Sequence, residues 1–362
     1  MILTVFSALV LTVSVRPVGA NMFHGKATMT QMWKSLCDAY PSSASYESIG
    51  KSLQGRDIWL FKIGNPYGGA IMWDGQAHGP EDSGSECGYL FAEWLLESPD
   101  PQATRIMKRN YWLFIPIVNV DSAGRQNMRR SYTLTNGTVI NVAYGVDLNR
   151  NGVTGFGGSG SGNPNDNYEY RGLYGGSEPE TQALRYAMEK YRPQVYVNTH
   201  TGDESILYYG PKTTIENEII SLYDSYSNTS GVPRYYSTQS ASPGGYIMSD
   251  AYSFGASAWL WEIITWEHIT DYDTFVAQWY PRVKPMMLAI SEAAGVDGAM
   301  AIPGDIDLNG TVDIFDAILF ANAFGSMPGK QNWNPNADLD DDNLITVYDG
   351  ITLASHYGQH YP

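Results

Sequence analysis

The chain has 362 residues, 43% apolar, 13% aromatic and only 17% charged, which excludes an intrinsically disordered protein. Its length predicts roughly two domains, with enough chain to bury a core that needs no covalent staples. With 22 Lys and Arg against 38 Asp and Glu the formal net charge is −16, the wrong sign for a phosphate-binding surface, so no nucleic-acid partner is expected.

In chain order, the apolar run Ile2–Val15 is too short to span a bilayer and is followed by Arg16-Pro17-Val18-Gly19-Ala20. The pair resembles the h-region and cleavage site of a secretory signal, although no Lys or Arg precedes the run. Residues 1–20 are therefore expected to be a signal peptide. The protein is expected to be secreted, associated with a scaffold or a cell surface, and without a transmembrane segment; a buried N-terminal strand is the alternative. Cys37 and Cys87 exclude a disulfide scaffold and a Cys-rich zinc module, and leave open one disulfide or two buried thiols.

From about Gln31 to Gly295, apolar β-type runs alternate with amphipathic stretches, the pattern of an α/β layer structure. The runs Ile58–Ile63, Ala70–Trp73, Tyr111–Val118, Gln194–Asn198 and Ala258–Ile264 predict strands, and their near-continuous hydrophobicity predicts cover on both faces. Helices are predicted over Ser85–Glu97, Glu178–Tyr191, Thr214–Ser227 and Tyr272–Ala294. Within the Gly/Ser/Asn loop Gly152–Asn167, Gly155-Phe-Gly-Gly-Ser-Gly160 spells a dinucleotide fingerprint, but no apolar strand precedes it, so a nucleotide site is set aside.

The periodicity stops near Gly295-Val-Asp-Gly298. A linker over residues 297–302 leads to a segment, 303–362, that carries nine Asp and one Lys, half of the net charge. It contains a repeat: Asp305-Ile-Asp-Leu-Asn-Gly-Thr-Val-Asp-Ile-Phe-Asp316 recurs 33 residues later as Asp338-Leu-Asp-Asp-Asp-Asn-Leu-Ile-Thr-Val-Tyr-Asp349. Oxygen side chains fall at positions 1, 3, 5, 9 and 12: Asp305, Asp307, Asn309, Asp313 and Asp316, then Asp338, Asp340, Asp342, Thr346 and Asp349. This is the alternation by which an EF-hand loop wraps a calcium ion; Thr311 and Leu344, at position 7, complete the candidate sets. Position 6 holds Gly310 and Asn343, residues that accept positive φ. A solvated acidic tail would not explain the registered apolar pair Val312 and Ile345. Each loop is followed by a helix and preceded by none, an arrangement that resembles a dockerin. The resemblance implies a small all-α domain with paired EF-hand-like loops, two structural Ca2+ ions and a cohesin partner. The pairs Ile314-Phe315 and Val347-Tyr348 would face that partner. The plainer alternative is an appendage stabilised by calcium.

Six histidines are available. His78 follows the predicted strand Ala70–Trp73 in His78-Gly-Pro-Glu81, and His200 ends the strand that begins at Gln194. Ligands of open α/β sheets collect at the carboxyl ends of strands, and two His with one Glu form a three-ligand zinc set that leaves a position for water. His78-Gly-Pro-Glu81, Gly145-Val-Asp-Leu-Asn-Arg-Asn151, Ser177-Glu-Pro-Glu-Thr181, the strand ending in His200, and Trp261-Glu262-Ile263 stand in the order found in the zinc carboxypeptidase (M14) family. The chain resembles that family over about Gln31 to Ala294.

The resemblance implies a catalytic domain over 21–296, with a mixed, mostly parallel twisted sheet flanked by helices on both faces. It implies one catalytic Zn2+ held by His78, Glu81 and His200, with Asp147 orienting His78. Asn149 and Arg150 would grip a free C-terminal carboxylate, Arg129 (with Arg130 as the alternative) would stabilise the oxyanion, and Glu262 would act as base and then acid. A carboxylate inside the apolar run Ala258–Ile264 is costly without a role. The chain departs from the family in Pro80, in Asn119-Val-Asp-Ser122, and in the capping tyrosine, for which Tyr235, Tyr236 and Tyr246 all remain open. Ile247 would stand at the end of the side-chain pocket, which implies apolar or aromatic terminal residues. With about ten residues between Ala20 and the first family-like segment, no inhibitory prodomain is expected. The expected activity is hydrolysis of the C-terminal peptide bond. The alternatives are a related zinc hydrolase of cell-wall peptides or acylated amino acids, and a non-catalytic binding protein on the same fold.

Overall fold

The computed structural model describes residues 23–158, 161–166, 168–231, 234–241, 244–268, 271–295, 303–307, 311–340 and 342–360. The expected signal peptide, the linker 297–302 and Asn309 lie outside the described residues.

Among the described residues there are ten strands: β1 (Ala44–Lys51), β2 (Asp57–Gly64), β3 (Gly69–Asp74), β4 (Asn110–Ile115), β5 (Ser131–Thr133), β6 (Val139–Asn141), β7 (Val195–His200), β8 (Ser205–Tyr209), β9 (Ser237–Ala241) and β10 (Ser257–Glu262). Eight of them form one mixed sheet in the order β1-β2-β4-β3-β7-β10-β8-β9, and β5 pairs with β6 apart from it. The middle of the sheet, β4-β3-β7-β10, is parallel, and antiparallel pairings of β2 with β4 and β8 with β10 border it. All six β7 residues are buried, as expected of a strand covered on both faces.

The helices are α1 (Lys26–Ala39), α2 (Ser83–Glu97), α3 (Pro101–Arg109), α4 (Pro179–Tyr191), α5 (Thr214–Ser230), α6 (Ile247–Ser253), α7 (Tyr272–Thr274) and, after a π-turn over Phe275–Trp279, α8 (Tyr280–Ala294). Strand side chains alternate between two cores. Ile71, Trp73, Val195, Val197, Trp259 and Trp261 pack with α1, α2, α5 and α8; Met72, Tyr196, Ala258 and Leu260 pack with α4 and α6. Fully burying such side chains contributes about 1.5–3 kcal/mol each, which holds the parallel strands in register.

The predicted strand over Tyr111–Val118 ends at Ile115, because Pro116 has no N–H for the ladder. Periodicity did not point to β1, β8, β9, α1, α3 or α6. β1 and β9 carry mostly polar, part-exposed residues, and α6 has only seven residues. α3 did have a start signal, since Asp100 accepts from Gln102 N–H and Pro101 takes the first helical position.

Beyond residue 302, α9 (Ile314–Ala323) and α10 (Val347–His356) enclose Ile306, Val312, Trp333, Ile345 and Leu353. Lys108 Nζ of α3 donates to the Asp338 carbonyl at 2.5 Å, tying this segment to the larger body.

Candidate active site

Strand alternation also arranges the polar groups. Asp74, Asn198, His200 and Glu262 share the parity of Met72, Tyr196 and Leu260 but lie at the carboxyl ends of their strands. The β7–β10 register places Glu262 directly beside His200. After β3 the chain turns through His78-Gly79-Pro80-Glu81 into α2. Two glycines allow this fit: a Cβ on Gly79 would lie 2.1 Å from Ser122 O, and one on Gly84 would lie 1.7 Å from Thr199 Oγ1.

The buried rings of His78 and His200 bring their Nδ1 atoms to 3.2 Å from each other, and each Nδ1 stands 2.8 Å from an oxygen of Glu81. The outer nitrogens are committed elsewhere. His78 Nε2 lies 3.0 Å from Asp147 Oδ1, and His200 Nε2 lies 2.7 Å from Asn198 Oδ1. Asn198 is oriented in turn by its amide, which donates to Asp74 Oδ1 at 2.6 Å, while the Tyr196 hydroxyl donates to the other Asp74 oxygen. The Nε2 atoms thus face outward, that of His200 also lying 3.1 Å from Asn149 Nδ2, and the two Nδ1 atoms and a carboxylate face one another. Two imidazoles with one carboxylate match the zinc donor set, and a metal ion would take the place of the protons shared between the Nδ1 atoms and Glu81. The three ligand atoms lie within 4.8 Å of one another.

The electrostatics agree. Burial would push the His78 imidazole down, but Asp147 and Glu81 outweigh it and hold its pKa up at about 9. Burial would raise the Glu81 and Asp147 carboxyls, but the two imidazoles keep Glu81, and His78 with Arg125 and Arg150 keep Asp147, well below the usual carboxylate range. Burial raises Glu262, whose Oε2 is buried without a hydrogen-bond partner among the described residues.

Asp147, Asn149 and Arg150 stand together because Asp147 caps the short turn Leu148–Arg150, accepting from Asn149 N–H at 2.9 Å. Asn149 Oδ1 accepts from Ile247 N–H at 3.1 Å, which holds the buried Ile247 next to this turn. The Arg150 guanidinium lies 4.2 Å from the Tyr246 ring centroid. Of the three candidate tyrosines, only Tyr246 packs on Arg150: the Tyr236 hydroxyl donates to Ile263 O at 2.7 Å, and that of Tyr235 donates to Glu204.

The three arginines before β5 point to different partners. Arg129 Nε donates to the fully buried Glu178 at 3.1 Å, and its guanidinium lies over the Tyr132 ring, while Arg130 is exposed. Arg125 is the arginine that reaches the cluster, with Nη2 3.0 Å from Asp147 Oδ2 and Nη1 3.9 Å from Glu81 Oε1. Glu178 draws in Arg129, Asn127 and Tyr132, and this buried anion turns Arg129 away. Three arginines within six residues offered no sequence signal to choose between them. Cys37 and Cys87 are both buried and unpaired.

In the C-terminal segment, carboxylate oxygens of Asp305, Asp307 and Asp316 lie within 4.8 Å of one another, as do those of Asp338, Asp340 and Asp342. Asp316 and Asp349 also accept backbone N–H groups of their own loops, from Ile306 and Leu339 respectively. Asp313 and Thr346 instead cap α9 and α10, accepting from Phe315 N–H at 2.8 Å and Tyr348 N–H at 3.2 Å. Asn343 takes φ +65°.

A mostly parallel sheet with two imidazoles and a carboxylate converging at its strand ends defines an α/β protein with a candidate metal centre. More narrowly, the chain belongs to the zinc carboxypeptidase (M14) family, whose family model matches residues 29–276. Carboxypeptidase A1 of Sus scrofa is 30% identical over 190 residues, 49% of this chain and 44% of that protein. Carboxypeptidase D of Drosophila melanogaster is 28% identical over 136 residues, 35% of this chain and 10% of that protein. The chain thus matches less than half the length of these relatives. The solved carboxypeptidase A from Helicoverpa armigera shares the fold, with a TM-score of 0.63 at 18% identity over 76% of this chain and 74% of that one.

Proposed function

We propose that this protein is a secreted carboxypeptidase that hydrolyses the last peptide bond of substrates with a free C-terminal carboxylate. The observation that carries this reading is the convergence of the His78 and His200 Nδ1 atoms on the Glu81 carboxylate, with both Nε2 atoms held from outside. His78, Glu81 and His200 would hold Zn2+, which supplies Lewis acidity and lowers the pKa of a water molecule. Glu262 accepts a proton at Oε2 and returns it to the nitrogen of the departing amine. Arg125 donates to the carbonyl oxygen as it gains charge. Arg150 and Asn149 bind the terminal carboxylate, Tyr246 shields it, and Ile247 favours an apolar or aromatic terminal side chain.

The C-terminal repeat is read as a dockerin-like module over 303–362 with two calcium loops. Its exposed Ile314, Phe315, Val347 and Tyr348, each more than half accessible, suit a largely apolar cohesin surface. Mass spectrometry of a peptide pool after incubation with zinc-loaded protein tests the catalytic reading. Loss of single C-terminal residues from free-acid peptides, and not from their amides, is expected; internal cleavage would refute it.

A further inference from the structure

We propose that Glu169 is a built-in competitor for the substrate's C-terminal carboxylate: it holds Arg150 until a free carboxylate displaces it, so that only an anion opens the subsite. This rests on the reading of Arg150 as the carboxylate-binding residue.

The Arg150 side chain is 7% exposed, whereas that of Glu169 is 37% exposed. With the Tyr246 ring against the guanidinium, Nη1 donates to Asn149 O at 3.0 Å and Nη2 donates to Glu169 Oε1 at 2.9 Å. Burying a guanidinium is costly, and the Glu169 carboxylate at its Nη2 offsets part of that cost when no substrate is bound. A peptide's terminal carboxylate is the same chemical group and needs the same planar fork of donors.

The backbone presents Glu169 without depending on the ion pair. Asp166 Oδ1 accepts from Tyr168 N–H at 2.8 Å and Glu169 N–H at 2.7 Å, and Gly162 N–H donates to Glu169 O at 2.7 Å. The next residue, Tyr170, accepts from Asp147 N–H at 2.8 Å, which ties this segment to the turn that carries Arg150. The part-exposed side chain can therefore rotate towards solvent without backbone movement. An uncharged amide cannot replace the anion, and a carboxylate can. Glu169 thus weakens binding of the correct substrate while rejecting capped ends more strongly, which is specificity by exclusion.

The test uses the zinc-loaded full chain and its Glu169→Gln variant, with Glu169→Asp as a second variant that withdraws the carboxylate by one methylene. Calorimetry with 3-phenylpropionate and its primary amide measures binding, and a free-acid peptide with its amide-capped form measures turnover. Glu169→Gln is expected to bind the acid about three- to tenfold tighter, the scale of a part-exposed ion pair. KM for the free-acid peptide should fall to match, with Glu169→Asp intermediate. Unchanged or weaker acid binding in both variants overturns the proposal alone and leaves Glu169 as a support for Arg150. Equal turnover of the amide-capped peptide by the unaltered protein overturns the reading of Arg150 itself.

Discussion

Glu262 occupies the last position of β10, where the apolar strand meets the His78–Glu81–His200 cluster, and burial holds its carboxyl above the usual range. The proton transfer proposed for it needs an accepting oxygen and nothing else from the side chain. Glu262→Gln should therefore lower kcat by at least about a hundredfold, with the unfolding midpoint and one equivalent of bound zinc retained; kcat with parallel metal analysis checks this. The arginines divide differently. Arg125 faces Glu81 and Asp147, so Arg125→Ala should cost about a hundredfold or more in kcat/KM. Arg129 neutralises buried Glu178, so Arg129→Ala should lower the thermal midpoint and leave the per-molecule rate of the folded fraction near that of the parent. Measuring both quantities in both variants separates catalysis from structure.

At the scale of elements, the site joins a turn after β3 to the end of β7, so its charges also bind these elements together. In the metal-free protein the His78 imidazole is held up at about 9 against an ordinary 6.5. A raised folded value contributes stability fully present below 6.5 and lost as pH rises through about 9. Glu81 has the opposite sign: its stabilisation is present above its ordinary 4.5 and lost as pH falls through the depressed folded value. Stability from this cluster is therefore greatest between 4.5 and 6.5. The thermal midpoint of metal-free protein should fall between about pH 6.5 and 9. Zinc should raise that midpoint more near pH 9, because at lower pH it must first displace a proton. Thermal melts with and without zinc across this range check both statements. Gly79 and Gly84 matter at this scale too, since the turn and α2 approach their neighbours too closely for a side chain.

For the whole molecule, the charge is uneven, with nine aspartates and one lysine after residue 302. Carboxylate oxygens crowd together in two clusters there, and under the calcium-loop reading proposed above this segment's folding should depend on calcium. Calorimetry of the full chain should show two calcium equivalents, and Asp316→Ala should remove one of them. EDTA followed by zinc repletion should leave peptidase turnover intact while lowering the melting temperature of the C-terminal segment. The contact between Lys108 and Asp338 predicts a secondary effect: Lys108→Ala should weaken the coupling between the two melting transitions in calorimetric scans.

The sequence by itself determined that His78, Glu81 and His200 come together, the layer class and the central strands. His78 and Glu81 are three residues apart in one turn, His200 ends a continuous apolar run, and such patterns are set by local spacing and by burial on both faces of a strand. The polar edge strands β1 and β9 left no such trace. Only the tertiary structure decided that Arg125 rather than Arg129 meets the ligands, that Tyr246 lies on Arg150, that Glu169 occupies that arginine, and that Cys37 and Cys87 remain thiols. Each of these depends on side chains packing against partners that periodicity does not relate to them. The buried Glu178 redirects Arg129, and no spacing near residue 129 announces it.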